Sequence, residues 1–277
     1  MKKLKESILA GLALMLIVAA MFAGGNQEAS GPEDYGRFDS VAIRANAEVI
    51  LEKADQWSVE AEIPRRLRNS IEIRNQGGTL VIRQRTLLFS RPERPRFIIS
   101  MPSFEELSMG SSGTFRSEDA WEGNRMRLQV SGSGDMRLRA LSGDSADLTT
   151  SGSGGLRVGS VEAENVQLHT SGSGGVDVDQ INAEETKIRT SGSGTISCAL
   201  STGELEASTS GSGGIRVSGD AEEARIRTSG SGSFRGGEFL VGSADISISG
   251  SGSVRLQEGS GVGSVRSSGS GRFSTSS

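Results

Sequence analysis

Few residues in this chain could carry chemistry. There is one histidine, His169, and one cysteine, Cys198. A lone histidine cannot build a histidine cluster, and its alternation with Leu168 marks an exposed strand position. Cys198 falls between Ile196 and Leu200 on one alternating face, which reads as a buried apolar filler rather than a reactive thiol. Carboxylates occur in pairs, Asp177 with Asp179 and Glu184 with Glu185. Paired acids can do acid–base work on sugars, but such work needs a concave site. Long loops usually build that site, and the repeats around these residues carry no insertion. The pairs therefore read as solvated outer faces. No catalytic residue, cofactor or metal ligand is expected, and the chain reads as a non-enzyme.

Charge is the second chemical resource. Residues 61–100 hold nine arginines against three acids, whereas residues 101–277 hold 15 basic and 22 acidic residues. Arg65, Arg66, Arg68, Arg83, Arg85, Arg94 and Arg96 form a candidate binding surface for anionic glycans or lipid head groups. The simpler reading is that they line exposed strand faces or contact the acidic remainder of the chain. Nucleic acid is not an expected partner of an exported protein.

These residues must be positioned by what surrounds them, and that is a repeat. Ser-Gly-Ser-Gly occurs at Ser131, Ser151, Ser171, Ser191, Ser210, Ser229, Ser249 and Ser268, in steps of 19 or 20 residues, with a degenerate copy starting at Gly110. A period held this closely indicates a solenoid. In the unit 151–170, Leu156 and Val158 form one alternating run, Val161 and Ala163 point inward at a bend, and Val166, Leu168 and Thr170 form a second run. Period two means strands, not helices. One repeat cannot bury its own apolar side, so each must stack on the next, in parallel and about 4.8 Å apart. The glycines form a structural turn ladder: Gly132 and Gly134, Gly152 and Gly154, Gly172 and Gly174, Gly192 and Gly194, Gly211 and Gly213, Gly230 and Gly232, Gly250 and Gly252. Glycine lets coils approach closely at a corner, and the serines are expected to stack into hydroxyl ladders along the axis. Calcium-binding β-rolls need a recurring Asp in each turn; these turns have none, so no calcium is expected there.

Upstream, residues 38–101 alternate as strands, with a turn at Gln76-Gly77-Gly78. Residues 26–37 read as a linker. Lys2, Lys3 and Lys5 precede an apolar run from Ile8 to Ala23, followed by Gly24 and Gly25. That is the order of a secretory signal over residues 1–25. The alternative, an uncleaved anchor, would need a longer run, of roughly 20 residues. No cysteine stands at the end of the segment, so a lipid anchor is not supported. The chain is therefore expected in the periplasm, on the cell surface or secreted. An exported chain with a single cysteine has no internal disulfide.

The alternating segment (FDSVAIRANAEVILEKADQWSVEAE, then TLVIRQ and RFIISMPSFEELSMGSSG), followed by the Ser-Gly-Ser-Gly array, resembles the putative auto-transporter adhesin, head GIN domain family. The resemblance covers about residues 38–273. It implies an all-β fold, a right-handed parallel β-helix on an exported bacterial protein, with an adhesive role and no catalytic residues. The expected layout is a strand-rich N-terminal cap, or the first part of the head GIN domain, at 38–107 and a solenoid of roughly 20-residue coils at 108–277. The expected function is a non-catalytic envelope or surface binding protein, with surface glycans or envelope components as candidate partners. A structural protein that self-associates through its C-terminal coil is the alternative, and a polysaccharide-active enzyme ranks below both.

Overall fold

The computed structural model describes residues 29–85 and 94–276, so the signal-like segment 1–25 lies outside the described residues. The described chain is a parallel β-solenoid of about nine turns, connected as one 19-stranded sheet. Its first strands are β1 (Ala29–Glu33), β2 (Ser40–Arg44), β3 (Glu48–Lys53), β4 (Ser58–Glu62), β5 (Ile71–Gln76), β6 (Thr79–Gln84) and β7 (Arg96–Met101). The regular coils begin with β8 (Glu106–Met109), β9 (Thr114–Glu122) and β10 (Arg125–Val130). They continue as β11 (Asp135–Thr150), β12 (Gly155–Thr170), β13 (Gly175–Thr190), β14 (Thr195–Gly211), β15 (Gly214–Gly230) and β16 (Ser233–Gly250). The last strands are β17 (Ser253–Gln257), β18 (Val262–Gly269) and β19 (Arg272–Ser276).

Strand β12 shows why this sequence coils. Leu156, Val158, Val161, Ala163, Val166, Leu168 and Thr170 are buried. Alternation slips at Gly159 and Ser160, and again at Glu164 and Asn165, where successive residues both face outward. Side chains alternate strictly along a straight strand, so each slip is a corner. A coil thus has a first side (155–158 here), a second (161–163) and a third (166–170), closed by the Ser-Gly-Ser-Gly turn. Each inward residue stacks on its equivalents: Leu156 between Met136 and Val176, Leu168 between Leu148 and Ile188. Full burial of one such side chain stabilises by roughly 1.5–3 kcal/mol, and it is reached only when both neighbouring coils are present.

At the turns the coils come closer than a side chain would allow. A Cβ on Gly152 would lie 2.0 Å from the Gly132 carbonyl oxygen, and one on Gly154 would lie 2.0 Å from that of Gly134. From Ser210 onward the turn changes shape, and its first glycine takes positive φ: +100° at Gly211, +83° at Gly230 and +93° at Gly250. The axial hydrogen bonds of the turn run through the backbone, with Ser153 N–H and Gly154 N–H both donating to Gly132 O at 3.1 Å. The side chains of Ser151 and Ser153 face solvent. Hydroxyls do stack, but one residue earlier and inside the core. Thr150, Thr170, Thr190, Thr209 and Thr228 are buried in a column. Thr150 Oγ1 donates to Thr170 Oγ1 at 2.9 Å, and Thr170 Oγ1 donates to Gly174 O at 3.3 Å.

The N-terminal strands join the same stack out of chain order. β2 lies between β6 and β8, and β3 lies between β7 and β9, all parallel. The coil made by β6 and β7 is therefore outermost, although it follows β2 and β3 in sequence. Its edges are covered by antiparallel strands, β5 on β6 and β4 on β7, with β1 in turn on β4. The strand β1 falls within the expected linker. An antiparallel rim ends the parallel stack and leaves a short outer strand, β1, bearing Pro32, which cannot donate to a further ladder.

The last coil, β18 and β19, is less protected. Val262 and Val265 are 40% and 41% exposed, and β18 buries none of its residues. Among the described residues of that coil, Phe273, in register with Val254, is the one hydrophobic side chain that packs against the core. Amide exchange should therefore be faster after Ser249 than across residues 151–190, since local opening tracks buried contact. Equal protection in a monomer would show that this end is held by contacts beyond those seen.

Candidate functional site

The structure spreads the N-terminal arginines over several elements. Arg65, Arg66 and Arg68 sit on a 3-10 turn (Arg65–Ser70) that follows Pro64 and buries only Leu67. Arg83 and Arg85 flank Glu72 on the β5–β6 hairpin. Arg85 Nε donates to Glu72 Oε2 at 2.9 Å, and Arg74 also pairs with Glu72. Desolvation pushes Glu72 up, but the Arg85 hydrogen bond and the charges of Arg74, Arg85 and Arg83 together hold it below the usual carboxylate range. Arg94 is exposed, and Arg96 lies on β7 in register with Glu48 and Glu62. The composition-based cluster is thus divided among the 3-10 turn, the β5–β6 hairpin, β7 and the segment before it.

A different set of arginines is brought into line. On the first side, register places Arg116 beside Arg137, Arg137 beside Arg157, then Asp177, Ser197, Arg216, Arg235 and Arg255 in succession. Each faces outward, about 4.8 Å from the next. Arg116 pairs with Glu48 at 3.1 Å and Arg157 with Asp177 at 3.2 Å. Arg137, Arg216, Arg235 and Arg255 are exposed, with no ion-pair partner among the described residues. The row beside them is small and largely hydroxylated: Thr195, Gly214, Ser233 and Ser253. The sequence signal was present, as the sixth residue after each opening serine, but a count by segment hides a column.

The other sides differ. On the third side charges neutralise each other: Arg127 with Asp147 (3.4 Å), Lys187 with Glu185 (2.7 Å), Arg227 with Glu206 (3.1 Å), and Arg225 with Glu204. Such exposed pairs are screened by solvent and add little to stability, so they set the surface pattern more than stability. His169 lies here, half-exposed, in register with Thr149 and Arg189. The second side and its corner carry Glu162, Glu164, Glu184, Asp220 and Glu222. A net charge of −4 therefore conceals a basic side and an acidic side.

One concavity interrupts the arginine column, and shortening creates it rather than insertion. The two consecutive repeats from Ser191 and Ser210 are each one residue shorter than the repeats on either side of the pair. The step falls where Ala199 meets Asp179 and Gln180, and where Val217 meets Gly236 and Gly237. The result is a shallow recess of about 440 Å³, with Arg157, Asp177, Asp179, Arg216 and Glu238 on its rim and Cys198, Ala199 and Val217 in its lining. Asp177 and Asp179 do share this recess, with Arg157 on Asp177. Burial pushes the Cys198 thiol up to about 12, so its thiolate is scarce at neutral pH and the residue serves as core. Among the described residues, no group of three or more His, Cys, Asp or Glu is placed to hold a metal ion.

The comparisons agree with this geometry. The family profile described as putative auto-transporter adhesin, head GIN domain, matches residues 37–199 and 167–276. No curated protein matches the sequence. Among solved structures, a putative lipid-binding protein of Parabacteroides distasonis superposes with TM-score 0.67 at 20% identity, over 92% of this chain and 98% of that one. A putative adhesin of Parabacteroides merdae gives 0.66 at 14% identity, over 92% and 98%. A putative adhesin of Bacteroides fragilis gives 0.57 at 14%, over 91% and 98%. At these identities the likeness shows the shared fold. The profile match spans most of the sequence, and the chain accordingly belongs to the putative auto-transporter adhesin, head GIN domain family.

Proposed function

We propose that this chain is an exported, non-catalytic binding protein of the cell envelope or surface, adhesin-like, whose ligands are surface glycans or envelope components. The observation that carries this reading is the in-register repetition of outward side chains along a side with no deep cleft. Identical weak contacts repeated at one-strand spacing add by multivalency, whereas chemistry needs a few convergent groups in a concave site. The names of the related structures, adhesins and a lipid-binding protein, support a binding role. The experiment is a glycan array probed with the purified chain, paired with a turnover assay on each hit. Binding without product is expected; time-dependent cleavage of a bound glycan would overturn the non-catalytic reading.

The exposed Val262 and Val265 on the last coil favour a second reading, self-association through that end. Concentration-dependent sedimentation together with a silent array would favour it over glycan binding.

A further inference from the structure

We infer that the first side of the coil is a track for a linear acidic polysaccharide, gripped by Arg216, Arg235 and Arg255. This rests on the binding reading above and names its site and ligand class. The arginines of one column lie about 4.8 Å apart, inside the screening length of about 8 Å at physiological salt. When empty, the column repels itself. On the third side of these coils Arg225 and Arg227 each have a glutamate in the adjacent coil. Arg216, Arg235 and Arg255 have none among the described residues. An external anion is what would complete them.

The shape selects among anions. The column is regular, because the parallel registers Arg216 to Arg235 and Arg235 to Arg255 set its members side by side. A polyuronate carries one carboxylate per sugar ring, and an extended ring is about as long as one strand spacing, so a chain laid along the column brings several carboxylates within reach of its arginines. Guanidinium binds carboxylate through two parallel hydrogen bonds. The adjoining row of Gly214, Ser233 and Ser253 leaves room for a ring to lie on the sheet and offers hydroxyls to it. The same rows present no aromatic side chain on which bases could stack, which disfavours nucleic acid. Upstream, Asp177 occupies a place in the column and quenches Arg157. The track is therefore strongest toward the C-terminal coils.

The test measures binding of the purified chain to polygalacturonate, to the same polymer fully methyl-esterified, and to single-stranded DNA, at two salt concentrations. The unmodified chain should bind polygalacturonate, more weakly as salt rises, and the ester at least about tenfold more weakly. The triple variant Arg216→Gln/Arg235→Gln/Arg255→Gln should lose about tenfold or more in affinity, while Arg225→Gln/Arg227→Gln on the third side should stay within about twofold. Asp177→Arg should bind more tightly than the native chain, a gain that misfolding cannot produce. Unchanged binding in the triple variant, equal binding of the ester, or equal binding of DNA would each overturn the inference. If the triple variant keeps binding a neutral glycan found on the array, only this inference falls. If the chain binds neither polygalacturonate nor any arrayed glycan, the wider reading falls with it.

Discussion

Deleting residues 151–170 as one block should leave a folded, shorter solenoid, while deleting residues 151–160 alone should destroy the cooperative fold. The block deletion joins Thr150 to Ser171 and lets β11 pair with β13 in the register each now shares with β12. Asp135 then meets Gly175, Met136 meets Val176, Leu148 meets Ile188 and Thr150 meets Thr190. Every inward residue finds an inward partner, and the Gly174 turn packs on Gly134. In a solenoid each coil contacts mainly its neighbours, so stability changes by about one unit and one interface. The half deletion removes the turn and the first side, including Leu156 and Val158, and joins Thr150 to Val161. The remaining chain is too short to pass around the core and cannot restore register with β13. Far-UV dichroism and thermal unfolding decide the matter: a native-like strand spectrum with a single transition for the block, and loss of the transition for the half. Indistinguishable behaviour of the two variants would refute the coil assignment.

The second large effect comes from one methyl group. Gly152→Ala should lower stability by about 3 kcal/mol or more, the upper part of the range for overpacking. Its Cβ would lie 2.0 Å from Gly132 O and 2.6 Å from Ser131 O. Carbon–oxygen contacts normally begin near ~3.3 Å, and both obstacles are backbone, which has no rotamer to yield. The stacked turns would have to part, straining the axial bonds that Gly132 O accepts from Ser153 and Gly154. At 2–4 °C per kcal/mol for a domain of roughly this size, the midpoint should fall by roughly 10 °C. Gly110→Ala is the control. The nearest atom to a Cβ there is the Ser131 hydroxyl at 3.4 Å, so its effect should stay within about 0.5 kcal/mol. Equal midpoints for the two variants would show that the turn glycines are tolerated substitutions rather than requirements of close stacking.

Period, inward positions and turns were legible in the sequence because they depend on short relations: alternation along a strand, and one residue in each coil matched to its equivalent in the next. Leu156, Val158, Val161, Ala163, Val166, Leu168 and Thr170 could be assigned inward before any coil was stacked, and Cys198 could be placed in the core. The order of the N-terminal coils could not be read this way. β6 and β7 stack outside β2 and β3, and no local pattern says which free coil edge a strand will take. The same limit applied to charge. A count along the chain pointed to residues 61–100, but the fold divides those arginines between elements and draws one from each of several distant repeats into a single file. The recess arose from two coils each lacking one residue, a difference of length that becomes a shape only when longer coils lie on both sides. Local periodicity determined what each coil is; the register between coils, a relation between residues far apart in the chain, decided which charges stand together.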